Sequence, residues 1–105
     1  MSAELKEVGE LLVGVEVDGV LHSDFVLRPR LVRDSIRVMA DEQAQQNDAY
    51  RGVALIACQI VKLGELSSAQ ITTELLLSMF DADLAVIMAA NGRLEGRLQS
   101  FRAKT

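Results

Sequence analysis

The sequence predicts an α+β fold: an N-terminal β-hairpin followed by three to four α-helices around a central apolar helix. Three observations predict it. Two β-prone runs, Leu11 to Val17 and Val20 to Leu27, flank Asp18-Gly19, and Asp-Gly between such runs is the strongest short-range hairpin signal. Between Gly52 and Lys62 only Gln59 is polar. The run Tyr50 to Leu63 is too long for an ordinary strand and too short to cross a bilayer. Segments on either side of it space their apolar residues at helical intervals.

The 105 residues suffice for one domain with one core. That domain is expected over residues 10–100, with a flexible N-terminus at 1–9 and a flexible basic tail at 101–105. Strands are expected at about 10–17 and 20–28, with Val13, Val15 and Val17 on one face. An isolated hairpin is marginal in water, so this one must pack on helices or pair with another edge. Pro29 keeps Arg28 extended and opens a helix reaching about Gln46. Val32, Ile36, Met39, Ala40 and Ala44 form its apolar stripe. Arg30, Arg33 and Arg37 form a second stripe, read as a solvated face with Asp34 and Asp41 as intrahelical partners of Arg37.

Asp48 is positioned to cap the apolar helix, and Gly64 to end it. Ser67 and Gln70 fit a capping box, with a short helix expected from about Thr72 to Met79. Asp81 is the expected N-cap of a last helix, and Asp83 adds negative charge to its first turn. Leu84, Ile87, Met88, Asn91, Leu94 and Leu98 follow its apolar stripe. Arg93, Arg97, Arg102 and Lys104 suit its C-terminus.

The charge is unevenly placed. The net charge is −4, which argues against a dedicated nucleic-acid binder. Residues 1–27 carry six acids against Lys6, a net of −5. Residues 28–37 carry four arginines and one aspartate, a net of +3, and residues 91–105 also sum to +3. No basic region followed by an apolar core opens the chain, so no signal peptide is expected. Cys58 is the only cysteine, which fits a reducing, cytoplasmic setting.

Signals for chemistry are weak. His22 and Cys58 are too few for a metal site. Cys58 lies within the apolar run, where it behaves as a small hydrophobe rather than a nucleophile. Asp34-Ser35-Ile36 resembles the phosphopantetheine site of acyl carrier proteins, but a hairpin precedes it where a helix is required and arginines surround it where acids are usual. The G-x-x-x-G at Gly92–Gly96 lies among charges rather than in an apolar membrane helix. No cofactor, metal or catalytic residue is expected.

Four stretches, in this order and spacing, resemble the tail assembly chaperones of Mu-like tailed phages and prophages. They are the Val15-Glu-Val-Asp-Gly19 turn, the strand exit Phe25 to Asp34, the segment Ala69 to Leu77, and the segment Phe80 to Met88. Together they cover about residues 11–90. Pro29 lies one place earlier than in the family pattern, Leu31 stands where a capping threonine is usual, and Thr73 replaces a frequent proline. The resemblance implies a non-catalytic role in the bacterial host cytoplasm. Such chaperones hold the hydrophobic tape measure protein while tail tube subunits assemble around it. Its expected partners are the tape measure protein and tail tube subunits, with homo-oligomerisation open and neither nucleic acid nor membrane bound.

Independently, methionine-bearing helix surface on an acidic domain suits adaptable binding of apolar segments. The residues expected to bind them are Leu76, Met79, Phe80, Leu84 and Met88 on the last two helices, with the central helix consumed by the core. A structural or scaffold subunit, for example a tail component or a homo-oligomer pairing through the hairpin edge, is the alternative. A transcriptional regulator is disfavoured by the acidic balance.

The Asp18-Gly19 turn carries the first testable expectation. A type I′ turn needs φ > 0 at both positions, which a β-branched side chain tolerates badly. Gly19→Val should destabilise the fold by about 1 kcal/mol or more in a denaturant titration. An unchanged midpoint would show that the register is not set by this turn.

Overall fold

The computed structural model describes residues 5–103, with side chains through residue 100. The order is β1 (Glu7–Val17), β2 (Val20–Leu27), α1 (Val32–Met39), α2 (Glu42–Gln46), α3 (Asp48–Gln59), β3 (Ile60–Leu63), a 3₁₀ turn (Ser68–Gln70), α4 (Thr73–Leu77) and α5 (Asp81–Ala103). The α+β class and the N-terminal hairpin are as the sequence predicts. The helices number five among the described residues.

The hairpin register follows from its turn. Val17 pairs with Val20, and Asp18 and Gly19 take φ of 53° and 79°, the left-handed pair that a type I′ turn requires. The strand begins at Glu7, earlier than expected, because Glu7 pairs with Leu27 across the sheet. Residues 1–4 and 104–105 lie outside the described residues. A bulge between Glu10 and Val15 interrupts the ladder. It shifts the pleat, so Leu11 and Val15 are buried while Val13 turns outward. The expected single face of Val13, Val15 and Val17 is therefore broken at Val13.

The apolar run Tyr50 to Leu63 is not one helix. It is a helix to Gln59 and then a strand, and β3 completes an antiparallel sheet of order β1-β2-β3. The β-branched pair Ile60-Val61 suits the strand, and β2 would otherwise present an unpaired edge. Phe25 pairs with Leu63, and Gly64 follows β3, donating its N–H to the Asp24 carbonyl at 2.7 Å. Gly64 thus closes a strand rather than capping a helix. The element at the centre is the sheet, not a wrapped helix. One face of the sheet is covered: Leu11, Phe25, Leu27 and Leu63 meet Ile56 of α3, Leu76 of α4, and Ile87 and Leu94 of α5 in one core.

The helix expected from Pro29 to Gln46 is also divided. Asp41 accepts the Gln43 N–H at 2.9 Å and caps α2, which ends α1 at Met39. The predicted apolar stripe is inverted. Val32 and Ile36 are 78% and 68% exposed, Met39 is exposed too, and Asp34 and Val38 face inward. The reason is Asp34. Its carboxylate takes a bidentate pair from Arg28 at 2.8 and 2.9 Å and the Leu31 N–H at 2.8 Å. Leu31, at the start of the helix, offers no capping side chain of its own. Asp34 therefore serves Arg28 rather than Arg37.

Arg28 also donates to the Cys58 carbonyl at 2.7 Å. Gln59, the lone polar residue of the apolar run, donates to the Arg28 carbonyl at 3.0 Å and to Asn91 Oδ1 at 2.9 Å, and accepts from Arg30 at 3.0 Å. The end of β2, the end of α3 and the middle of α5 are tied through this one amide. His22 on β2 is buried, and its Nδ1 accepts the Glu65 N–H at 3.0 Å. Helix α5 runs past Gly92 and Gly96 for 23 residues. Its Arg93 and Arg97 both bind Glu7, at 2.8 and 2.5 Å, so the basic residues anchor the start of β1 as well as suiting a helix C-terminus. The tail expected at 101–105 is helical as far as Ala103.

The Arg28–Asp34 pair gives a pH dependence. The hydrogen bonds from Arg28 hold the Asp34 carboxyl below the ordinary carboxylate range, helped by the Leu31 N–H and opposed by burial. A carboxyl depressed in the folded state stabilises the protein above its unfolded pKa, about 3.9, and loses that contribution as pH falls through the folded value. Asp34→Asn should cost about 2–3 kcal/mol near neutral pH. The gap between parent and variant should be constant above about pH 5 and shrink on acidification. A gap that widens as pH falls contradicts the assignment.

Candidate partner-binding surface

A concave, partly apolar surface lies where the hairpin bulge meets the corner between α4 and α5. The geometry begins with Asp83, in the first turn of α5 and fully buried. Its two carboxylate oxygens accept the N–H groups of Val13 at 3.0 Å and Gly14 at 2.9 Å. These are donors that the bulge withdraws from the ladder to β2. Gly14 takes φ of 106°, and a Cβ there would press on the His22 carbonyl and the Leu21 side chain at 3.0 Å. Only glycine lets the bulge turn both amides toward the carboxylate.

The latch fixes the chain just before α5. Thr72 caps α4 by accepting the Leu75 N–H at 3.2 Å, and the Phe80 carbonyl accepts the first N–H groups of α5, from Asp83 at 2.9 Å and Leu84 at 3.1 Å. Phe80 is therefore the capping residue, one position before the expected Asp81. Its backbone is tied down while its ring is 63% exposed. Between this corner and the hairpin is a groove of about 370 Å³, with Val13 and Leu21 on the strand side and Met79 and Phe80 on the helix side. Val13 and Leu21 are exposed as well.

The five residues singled out in the sequence are divided by the structure. Met79 and Phe80 come together in the groove wall. Leu84 is half-buried and Met88 exposed, one turn apart on α5 and outside the groove lining. Leu76 is 2% exposed and belongs to the core. On the single turn of α4, Leu76 is buried in the core and Leu75 packs against it in part. Val13 and Leu21 are the groove residues that the sequence missed. Gly14 inside an otherwise β-prone run was the available signal, since an isolated glycine there marks a bulge.

A second depression of about 300 Å³ lies between α1, α3 and the Ser68–Thr73 segment, and Arg37, Asp41 and Cys58 are among its lining residues. Cys58 is half-buried rather than fully buried. Burial pushes its thiol upward, with the nearby Asp34 adding to the effect, which is the reverse of an activated nucleophile. Among the described residues no three metal-ligating side chains come together, and no helix is long and apolar enough to cross a membrane. No family model matches the chain, and comparison with curated proteins and solved structures yields no significant match.

Paired substitutions separate core from surface. Leu76→Asp buries a carboxylate without a partner and should unfold the domain. Phe80→Asp should leave the circular dichroism spectrum intact and shift stability by no more than about 0.5–1 kcal/mol. Equal loss of structure in both would place Phe80 in the core.

Proposed function

We propose that this protein is a non-catalytic tail assembly chaperone of the phage and prophage type that engages hydrophobic segments of a tape measure protein during tail morphogenesis. The observation that carries the reading is the groove at the α4–α5 corner, where an exposed Phe80 stands over Met79, Val13 and Leu21. An exposed aromatic beside a thioether that also packs against the core gives an apolar surface that suits varied side chains. Of the groove lining, Val15 and Glu16 fall in the first of the four stretches that resemble the family and Phe80 in the last. Its walls come from helix termini and a bulged strand, so an apolar segment can bind without adding to a flat, free sheet edge. Tail tube subunits are the second expected partner, and the bacterial host cytoplasm is the expected setting. A structural or scaffold subunit is the second reading, favoured by the open sheet face that carries Val8 and Leu12, both exposed.

Co-expression with tagged tape measure segments, followed by pull-down, tests the chaperone reading. The parent should retain the segment in soluble form, and Phe80→Asp should weaken capture by about tenfold or more, as expected for loss of a central aromatic anchor. Met88→Asp, outside the groove lining, should have a smaller effect. Capture by a folded Phe80→Asp variant at the parent's level would overturn the groove assignment.

A further inference from the structure

Two of the surfaces left uncovered by the fold are opposite in charge and alike in apolar character. The first is the face of β1 and β2 turned away from the helices. Val8 pairs with Val26 and Glu10 with Asp24 on that face, and Leu12 continues it at 72% exposure. Two carboxylates stand directly opposite each other there, at a Cβ separation of about 5 Å, an arrangement that is destabilising in an isolated sheet. Lys62, opposite Val26 on β3, is only a diagonal neighbour of Asp24. The second surface is the outer side of α1. Val32 and Ile36 are exposed one turn apart, with Arg33 and Arg37, also one turn apart, along one side of them and Arg37 lining the depression between α1 and α3 as well. Like charges at that spacing, with Cβ atoms about 6 Å apart, also repel. Among the described residues, none of Glu10, Asp24, Arg33 and Arg37 takes part in a salt bridge.

We propose that α1 of one copy docks on the open sheet face of a second copy, with Arg33 and Arg37 meeting Glu10 and Asp24 around a contact between Ile36 and Leu12. Each like-charge pair is the partner that the other lacks, and their spacings match to within about 1 Å. The apolar residues beside them supply the non-directional part of the contact. The two patches are different surfaces of one chain, so the contact is heterologous: the copy that gives α1 keeps its sheet face free, and the other keeps its α1 free. This contact lies apart from the groove at Phe80 and does not depend on the chaperone reading.

Sedimentation of the full chain over a concentration series, at low and high salt, tests the proposal. The parent should associate progressively with concentration and less so at high salt. Arg33→Glu with Arg37→Glu should weaken association by about tenfold or more, and so should Glu10→Arg with Asp24→Arg. An equimolar mixture of the two charge-reversed proteins should restore it, because each then presents the charge that the other needs. Ile36→Ser should weaken association without changing charge. A parent that stays monomeric throughout, reversed variants that associate like the parent, or a mixture that fails to recover association would each overturn the proposal.

Discussion

The carboxylate of Asp83 is the interaction on which the arrangement of this molecule depends. A bulged strand is left with amide groups that its neighbour does not pair, and an unpaired buried donor costs about as much as a lost hydrogen bond. Here a single side chain from the far end of the sequence accepts both, at 3.0 and 2.9 Å. Hydrogen bonds to a charged acceptor are about twice as strong as neutral ones. The carboxylate also sits in the first turn of a helix, where negative charge is favoured. It joins the bulge of β1 to the start of α5.

The rest of the helical layer follows from that latch and from two others. Glu7 at the start of β1 is held by Arg93 and Arg97, so α5 is tied to β1 near both ends of the strand. Gln59 fixes the middle of α5 through Asn91 and the exit of β2 through the Arg28 carbonyl. Between these points the apolar core fills one face of the sheet. The cost of burying Asp83, Gln59 and Asn91 is offset because no buried side-chain polar atom among the described residues lacks a partner. The same latch leaves Phe80 exposed at a fixed corner, which is what gives the proposed binding groove its shape.

Much of the fold was legible in the sequence because its signals were local. Asp18-Gly19 fixed the hairpin, Ser67 with Gln70 forms the capping box that its spacing indicates, and the stripe positions Ile87, Asn91 and Leu94 of α5 face the core as their spacing indicates. What was not legible depended on long-range partners. The stripe of α1 looks apolar and inward by periodicity, yet the Arg28 guanidinium draws Asp34 inside and turns Ile36 out. The run from Tyr50 reads as one helix because nothing local says that β2 needs a third strand. Asp83 reads as a charge in a helix's first turn because its two donors lie about 70 residues away in sequence. Of the candidate surface, Met79 and Phe80 were legible from their apolar character at a helix boundary. Leu76 was misplaced because a one-turn helix has too few residues for its inward face to be read from spacing.

Amide hydrogen exchange of Val13 and Gly14, followed by NMR, tests the Asp83 latch most directly. Both amides should be protected in the parent to a degree comparable with the ladder amides of β2, and both should lose protection together in Asp83→Ala while the turn at Asp18-Gly19 is unaffected. Fast exchange of these two amides in the parent, or protection that survives loss of the carboxylate, would contradict the latch and with it the placement of the groove.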